Sequence, residues 1–485
     1  MNKFLVLCLI LLITVPRVNA QKEEVGKTFD DARFFYSTEE YKEAAYLFRK
    51  LVKTDPENAN YNFMAGMSLL KVKGEETRAI PYLEKAVRNT TLKYKENDPG
   101  EKQAPYHAWF YLGNAYRINN QLDEALEAYS KFMDIKDFDK KYNLGIVQNE
   151  IKAAERAKII KDAPLNLIRE KMPAAIDDGG STFRPVVNIN ETTMVYMKSL
   201  KFYDAIMYSY KLDGQWVEPI NITPQVGSDG DMTPAGLSAD GTQLLLVRST
   251  KSDDGDIYLS KLDGHKWSKA EKMGKNVNSN HNEAHASFSP DGGYLLLSSD
   301  RRGGYGGLDI YMLRKEADGQ WGEPENMGAT INTPEDESSA FMVNDDETLY
   351  FCSRGHFNMG GYDIFYARRM KNGQWEDPKN LGYPLNTTND NDFFQPVKSG
   401  RTGYISFFDR DQPKAAEEIY RVEILPYTAP ATVSKALFND SFSLILQEED
   451  SGDKITVTYD SESDSMTVIS PGGKSYDIKL IRKEK

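Results

Sequence analysis

The sequence predicts a multidomain chain in which α-helical repeats precede an all-β propeller of five or six blades and a small C-terminal β segment. Three observations carry that prediction. Trp residues recur at positions 216, 267, 321 and 375, in steps of 51, 54 and 54, and a period near 50 marks a propeller or an array. An acid opens a short apolar strand eleven or twelve residues before each of them, at Asp204, Asp256, Asp309 and Asp363, and Glu418 repeats the phrase without a Trp. Up to about residue 161 the apolar spacing is helical, whereas beyond Asp162 aromatic and β-branched residues alternate in short runs.

Residues 1–20 combine Lys3, the apolar run Phe4 to Val15 and the small-residue ending Val18-Asn19-Ala20. That is the plan of a secretory signal cleaved after Ala20. The run is short of the roughly 20 residues a spanning helix needs, and Leu7 stands before Cys8 where a lipoprotein site has a small residue. No later stretch is apolar enough to span a bilayer. The net charge of −13 disfavours nucleic acid and anionic lipid as partners and suits a basic protein face or a cation. After cleavage only Cys352 remains, so no internal disulfide is expected. In Leu349-Tyr350-Phe351-Cys352 it reads as a buried small hydrophobe.

The helical part spans residues 21–162. Trp109-x2-Leu112-Gly113-x2-Tyr116, then Ala125-x3-Tyr129 and Phe132, follows the tetratricopeptide pattern. Gly113 and Ala125 let two helices approach, and the aromatics fill the space between hairpins. An earlier copy reads Ala32, Phe35, Ala44, Phe48, Leu51 and Pro56; a weaker one reads Gly66, Leu69, Ala79, Leu83 and Ala86. Tyr142 to Lys161 forms a capping helix. Lys93 to Gln103, with Asp98-Pro99-Gly100, is expected to be an exposed loop. Such repeats build a groove for partner segments, or pack on the next domain.

The propeller spans residues 163–428. One unit reads Ala286-Ser287-Phe288, the turn Pro290 to Gly293, Tyr294 to Ser298, a loop to Gly307, Asp309 to Leu313, and Asp318-Gly319 leading into Gln320-Trp321. Four antiparallel strands joined by tight turns make a blade. The repeated acids (Asp204, Asp256, Asp309, Asp363) are expected to accept hydrogen bonds from the loops they close. Gly306-Gly307 and Gly360-Gly361 supply unusual torsions. The Trp set (Trp216, Trp267, Trp321, Trp375) is expected to cover seams to the next blade.

Ser289-Pro290-Asp291-Gly292, Leu295 to Ser299, Gly307 to Tyr311 and Trp321 to Gly328 with Ile331-Asn332-Thr333 resemble the WD-related repeat of TolB-type propellers of Gram-negative envelopes. With the signal and the tetratricopeptide copies, the order resembles a bacterial envelope family that includes the PorE-type accessory proteins of type IX secretion. In that family the propeller is commonly followed by a carboxypeptidase-regulatory-like β domain and an OmpA-like domain. The resemblance covers nearly nine tenths of the chain. The resemblance does not extend to an OmpA-like domain, so peptidoglycan anchoring is not expected.

Residues 429–485 contain four strand-like runs, and Pro471 to Tyr476 resembles the end of the carboxypeptidase-regulatory-like domain. Asp477-Ile478 also falls where a degenerate sixth blade would place a strand. Five blades are the first expectation, with Leu165 to Ile168 as the outer strand of the fifth, and six the alternative.

No Gly-x-Ser-x-Gly elbow, phosphate loop or isolated carboxylate pair is present, so neither catalytic residue nor cofactor is assigned. His281-x-Glu283-x-His285 could place ligands on one strand face, but the other blades carry Asp231, Glu335-Asp336-Glu337, Asp390 and Asp392 in that register, and no metal is assigned. Because first strands line the axis, Asp231, Glu283, Asp336, Glu337, Asp390 and Asp392 would form an acidic mouth for a cation or a basic partner segment, or a solvated rim. Arg301, Arg302, Arg354 and Arg410 are expected to pair with nearby carboxylates. The expectation is a non-enzymatic periplasmic scaffold that binds envelope proteins, with outer-membrane association implied by the resemblance. The alternative is a propeller enzyme or lectin-like module working on glycans or peptides in its channel.

Overall fold

A computed structural model describes residues 23–249, 255–343, 347–409, 416–425, 442–447, 454–460, 465–469 and 475–479. The signal-like residues 1–20, Cys8 and Arg410 lie outside the described residues. The chain divides into two units, one ending at Leu425 and one from Pro426.

Helices pair as the small residues require. α1 (23–37) and α2 (Tyr41–Thr54) form the first hairpin, α3 (Ala59–Leu70) and α4 (Ile80–Ala86) the second, and α5 (Ala108–Ile118) and α6 (Leu122–Met133) the third, followed by α7 (Leu144–Asp162). Leu83 would lie only 2.6 Å from a Cβ at Gly66, and Tyr129 closes over Gly113 in the same way. Ala32, Ala44, Phe48, Ala79, Leu83, Ala86 and Ala125 are all buried. The polar insertion is the irregular, exposed loop expected, and it is tethered at its edges and to α3. Thr90–Thr91 pairs with Ala104–Pro105, Lys102 accepts from Ala59 N–H, Tyr61 donates to the Pro99 carbonyl at 3.0 Å, and Tyr94 donates to Asn60 at 2.6 Å. Its backbone satisfies polar groups on α3 that water would otherwise have to reach.

Five sheets follow. Their inner strands, a, are Thr182–Val187, Met232–Leu237, Glu283–Phe288, Glu337–Val343 and Gln395–Val397, each pairing outward to strands b and c. Strand d of blade 5 is Leu167–Lys171, which precedes blade 1 and pairs with Ala416–Ile424. One sheet built from both ends of the propeller closes the ring at five. Glu191, on the a–b turn of blade 1, secures that closure: Tyr404 and Arg421 each donate to it at 2.7 Å. Burial opposes its charge, but Arg421, Lys398 and Tyr404 outweigh that and hold its carboxyl at about 2.

The periodic residues have assigned jobs. Asp309 accepts from Tyr305 and Gly306 N–H, and Asp363 from Met359 N–H, so each carboxylate shapes the b–c loop before it. Asp204 accepts from Ser199, and Asp256 from Lys272. Gly360 and Gly361 adopt φ of +129° and +75°. Gly306 and Gly307 are needed for another reason: a Cβ there would strike Pro334 backbone and the Asp336 carboxylate. The Trp residues cover seams, but toward the preceding blade. Trp267 of blade 2 meets Tyr208 of blade 1 edge-on at 5.6 Å, and Trp321 packs in the core shared by blades 2 and 3. Trp321 and Trp375 form only single bridges, and strand d of those blades is Glu325–Asn326 and Lys379–Asn380.

A second periodic residue is buried Asn: Asn278, Asn332 and Asn386 each accept from and donate to the backbone of an Ile in strand c, at 2.7–3.0 Å. The amide substitutes for a missing strand partner.

In the second unit, Phe442–Gln447, Lys454–Asp460, Ser465–Ile469 and Ser475–Lys479 pair antiparallel in chain order. Residues 471–474, which carry much of the regulatory-domain resemblance, lie outside the described residues.

Candidate functional site

Strand a runs from the face carrying the lead-ins and b–c loops to the face carrying the a–b turns. The helical repeats dock on the first of these. Arg117 of α5 is buried and donates to the Thr388 carbonyl in the blade 5 lead-in at 2.6 Å, while lying 2.9 Å from Glu150 of α7. Its guanidinium occupies the space above Gly360, where any side chain would collide. Met359 packs with Leu122, Ala154 and Ala157, the Arg156 guanidinium sits 5.0 Å from the Phe357 ring centre, and Lys73 pairs with Glu417 at 2.9 Å. Helices and propeller are thereby joined by both an apolar contact and a buried charge.

The predicted acidic mouth is largely consumed within the fold. Glu283 is fully buried and accepts from Ser279, Ser299 and Arg301 at 2.6, 2.9 and 3.2 Å. Asp231 pairs with Arg248 and accepts from Ser228. Burial works against its charge, but those partners hold its carboxyl below the usual range. Asp336 accepts from Leu308 N–H and Asp390 from Tyr362 N–H, each tying its lead-in to the preceding blade. Glu337 occupies the Glu283 position one blade on, but Gly355 stands where blade 3 has Arg301. It accepts from Thr333 and Ser353 at 2.7 and 2.6 Å, and burial pushes its carboxyl up to about 7. Asp392 alone of the six is exposed with no bond to its carboxylate among the described residues.

The His281, Glu283 and His285 set is not brought together. A bulge between Glu283 and His285 breaks the alternation on which it depended. Glu283 turns to Arg301, and His285 enters an aromatic cluster, 4.9 Å from Phe341 and 6.1 Å from Phe393. Burial, then the Arg184 charge, lowers its imidazole to about 3. No group of three metal-ligating side chains occurs among the described residues. Arg301 pairs with Glu283, and Arg354 with Asp390 at 3.5 Å; Arg302 is exposed and unpaired among the described residues. Cys352 is buried, and burial raises its thiol well above the ordinary value.

Sequence spacing missed what lies on the axis. Phe341, Phe393 and His285 plug the channel, and beyond them a cavity of about 40 Å³ is lined by Gly236, Ser287, Phe341 and Gln395. On the docking face the b–c loops carry exposed Phe202, Tyr203 and Tyr305. No described helix is long and apolar enough to cross a membrane.

Residues 30–101 match the family model of a tetratricopeptide repeat. Among curated proteins no sequence matches. Among solved structures, TolB from Acinetobacter baumannii is similar at 15% identity, covering 50% of this chain and 54% of that one with a TM-score of 0.34. This chain thus spans about half of that TolB. A protein assigned as TolB from Agrobacterium tumefaciens is similar at 14% identity, covering 63% and 91% with a TM-score of 0.32. A family 117 glycoside hydrolase from Zobellia galactanivorans is similar at 12% identity, covering 54% and 90% with a TM-score of 0.35. The chain is a tetratricopeptide-repeat region joined to a five-bladed propeller, an architecture suited to holding protein partners.

Proposed function

We propose that this protein is an exported, non-enzymatic scaffold that binds protein partners in the cell envelope, at an outer-membrane-associated or secretion assembly. One observation carries the reading: Arg117 and the contacts around it fasten the helical repeats to the propeller face that also bears Phe202, Tyr203 and Tyr305. Two recognition elements are held at fixed spacing on one side, which lets a partner engage both without ordering a linker. Exposed aromatics at loop tips supply large contact area at small entropic cost. The signal-like residues 1–20 support an envelope location.

The enzyme or lectin-like alternative needs a substrate-sized cleft. The axial cavity, at about 40 Å³, is roughly a tenth of the few hundred Å³ that ligand pockets commonly offer, which weighs against turnover within the channel. In-cell crosslinking followed by purification tests the proposal. A defined envelope protein should be recovered with the wild type and lost when Phe202, Tyr203 and Tyr305 are changed together to Ala. Recovery of none, or equal recovery with the triple variant, would overturn it.

A further inference from the structure

The residues that cross the channel axis form one layer. Arg184, Pro234, His285 and Ser339 fall at or beside bulges in strands a of blades 1 to 4, and Phe393 takes that place in blade 5. Two of them, Arg184 and Ser339, hold positive φ of 54° and 51°, a region that non-glycine residues rarely occupy. At Ser339 the bend is put to use within the fold, because its hydroxyl donates to the Asp392 carbonyl at 2.7 Å. At Arg184 the bend carries the guanidinium to the Phe393 ring rather than to a carboxylate.

Arg184 is half-buried near the docking-face end of the channel, with its guanidinium 5.2 Å from the Phe393 ring centre. Its Nε is shut away from solvent and unbonded, and no carboxylate pairs with it among the described residues. His285, whose imidazole feels the Arg184 charge, is wholly buried and neutral, so one ring nitrogen is a donor and the other an acceptor. A guanidinium nitrogen shut away from water without an acceptor loses solvation, so such a group ordinarily has a counter-ion. Proline and phenylalanine offer it no charged partner, and neither the Ser339 hydroxyl nor the His285 imidazole accepts from its Nε. Arg184 therefore presents a positive charge and an unbonded guanidinium N–H with no carboxylate opposite them, and the species that completes the layer is an anion.

The rim decides which anion. Asp392 stands exposed one residue before Phe393, and Asp336 and Asp390 edge the same face, so a dianion would be repelled more than a monoanion. A planar monoanion with two oxygens matches the guanidinium fork. We propose that the docking-face mouth of the axial channel is a carboxylate-binding site, with Arg184 gripping both oxygens and Phe393, Phe341 and His285 forming the floor. The site is one functional group deep, in keeping with the plug beneath it, and it takes either a small free acid or the terminal carboxylate of a peptide.

The test is calorimetric titration of the whole chain at constant ionic strength with three probes: acetate, acetyl-dialanine with a free C-terminus, and its C-terminal amide. Saturable binding of a free acid and none of the amide is expected. Equal affinity per carboxylate identifies a small-acid site, and tighter binding of the peptide acid identifies a chain terminus. Arg184→Met should lose at least tenfold in affinity and Arg184→Lys should retain part of it, with circular dichroism confirming that both fold. Absence of binding by every free acid, equal binding of the amide, or undiminished binding by a folded Arg184→Met variant would overturn the proposal.

Discussion

Replacing Arg117 with Met keeps most of the aliphatic stem and removes the charge that fastens helices to propeller. Arg117 is 6% exposed, donates to Thr388 at 2.6 Å and lies 2.9 Å from Glu150, whose side chain keeps 27% of its surface in water. A hydrogen bond from a charged donor contributes about 1.5–3 kcal/mol. The partly hydrated Glu150 adds less than a fully buried orphan would, so the expected loss is about 2–3 kcal/mol. With a denaturant slope of about 2–3 kcal/mol per M, the helical midpoint falls by about 1 M urea. Two probes read this separately. Far-UV ellipticity follows the helices, whereas four of the five Trp residues lie in the propeller. In the wild type the transitions should coincide, and in Arg117→Met the helical one should come first. Coincident transitions at an unchanged midpoint in the variant would refute the idea that Arg117 holds the two parts together.

Other substitutions test other parts of the architecture. Glu337 has a folded value near 7, above its ordinary 4.5. Its contribution is therefore full below about 4.5 and declines as pH rises through 7. Glu337→Gln should flatten the pH dependence of the melting temperature in that window and raise stability at pH 8 by the order of 2–3 kcal/mol; an unchanged profile would show the carboxyl to be ionised and solvated. Glu191 behaves oppositely, its folded value near 2 making its contribution full above about 4.5 and lost as pH falls toward 2. Glu191→Gln should cost about 2–3 kcal/mol at pH 7 by weakening charged hydrogen bonds across the closure, measured by urea unfolding. Gly74, at φ +82° with Phe408 packed against it, should not accept Ala without a loss of about 1–3 kcal/mol, read as a lower melting temperature. Trp267→Ala removes a buried seam residue and should cost about 3–5 kcal/mol, seen as the same propeller transition at lower denaturant.

Much of the fold was legible because repetition amplifies weak local signals. One Asp before one strand says little, but four in register with four Trp residues place every blade, and small residues at Gly66 and Gly113 locate the helix contacts. The insertion after Thr91 is the exposed, irregular loop its composition predicts, but its hydrogen bonds to Asn58, Tyr61 and Asn60 are not legible because those partners are distant in sequence. The acidic lead-ins were visible too, but their fate was not. Glu283 and Glu337 are the same residue at the same position, and a difference two residues beyond strand b, Arg301 against Gly355, makes one an ion pair and the other an isolated buried carboxyl.

Composition and periodicity determine secondary structure here, because each helix hairpin or blade is a short-range unit whose pattern repeats. They also fix the order of helices before propeller. Only the tertiary structure decided that the ring closes at five, that Arg117 reaches across to Thr388, and that Arg184, His285 and Phe393 meet on the axis. These depend on contacts between residues as much as some 270 positions apart, and the free energy of such contacts comes from burial that no local window of sequence contains.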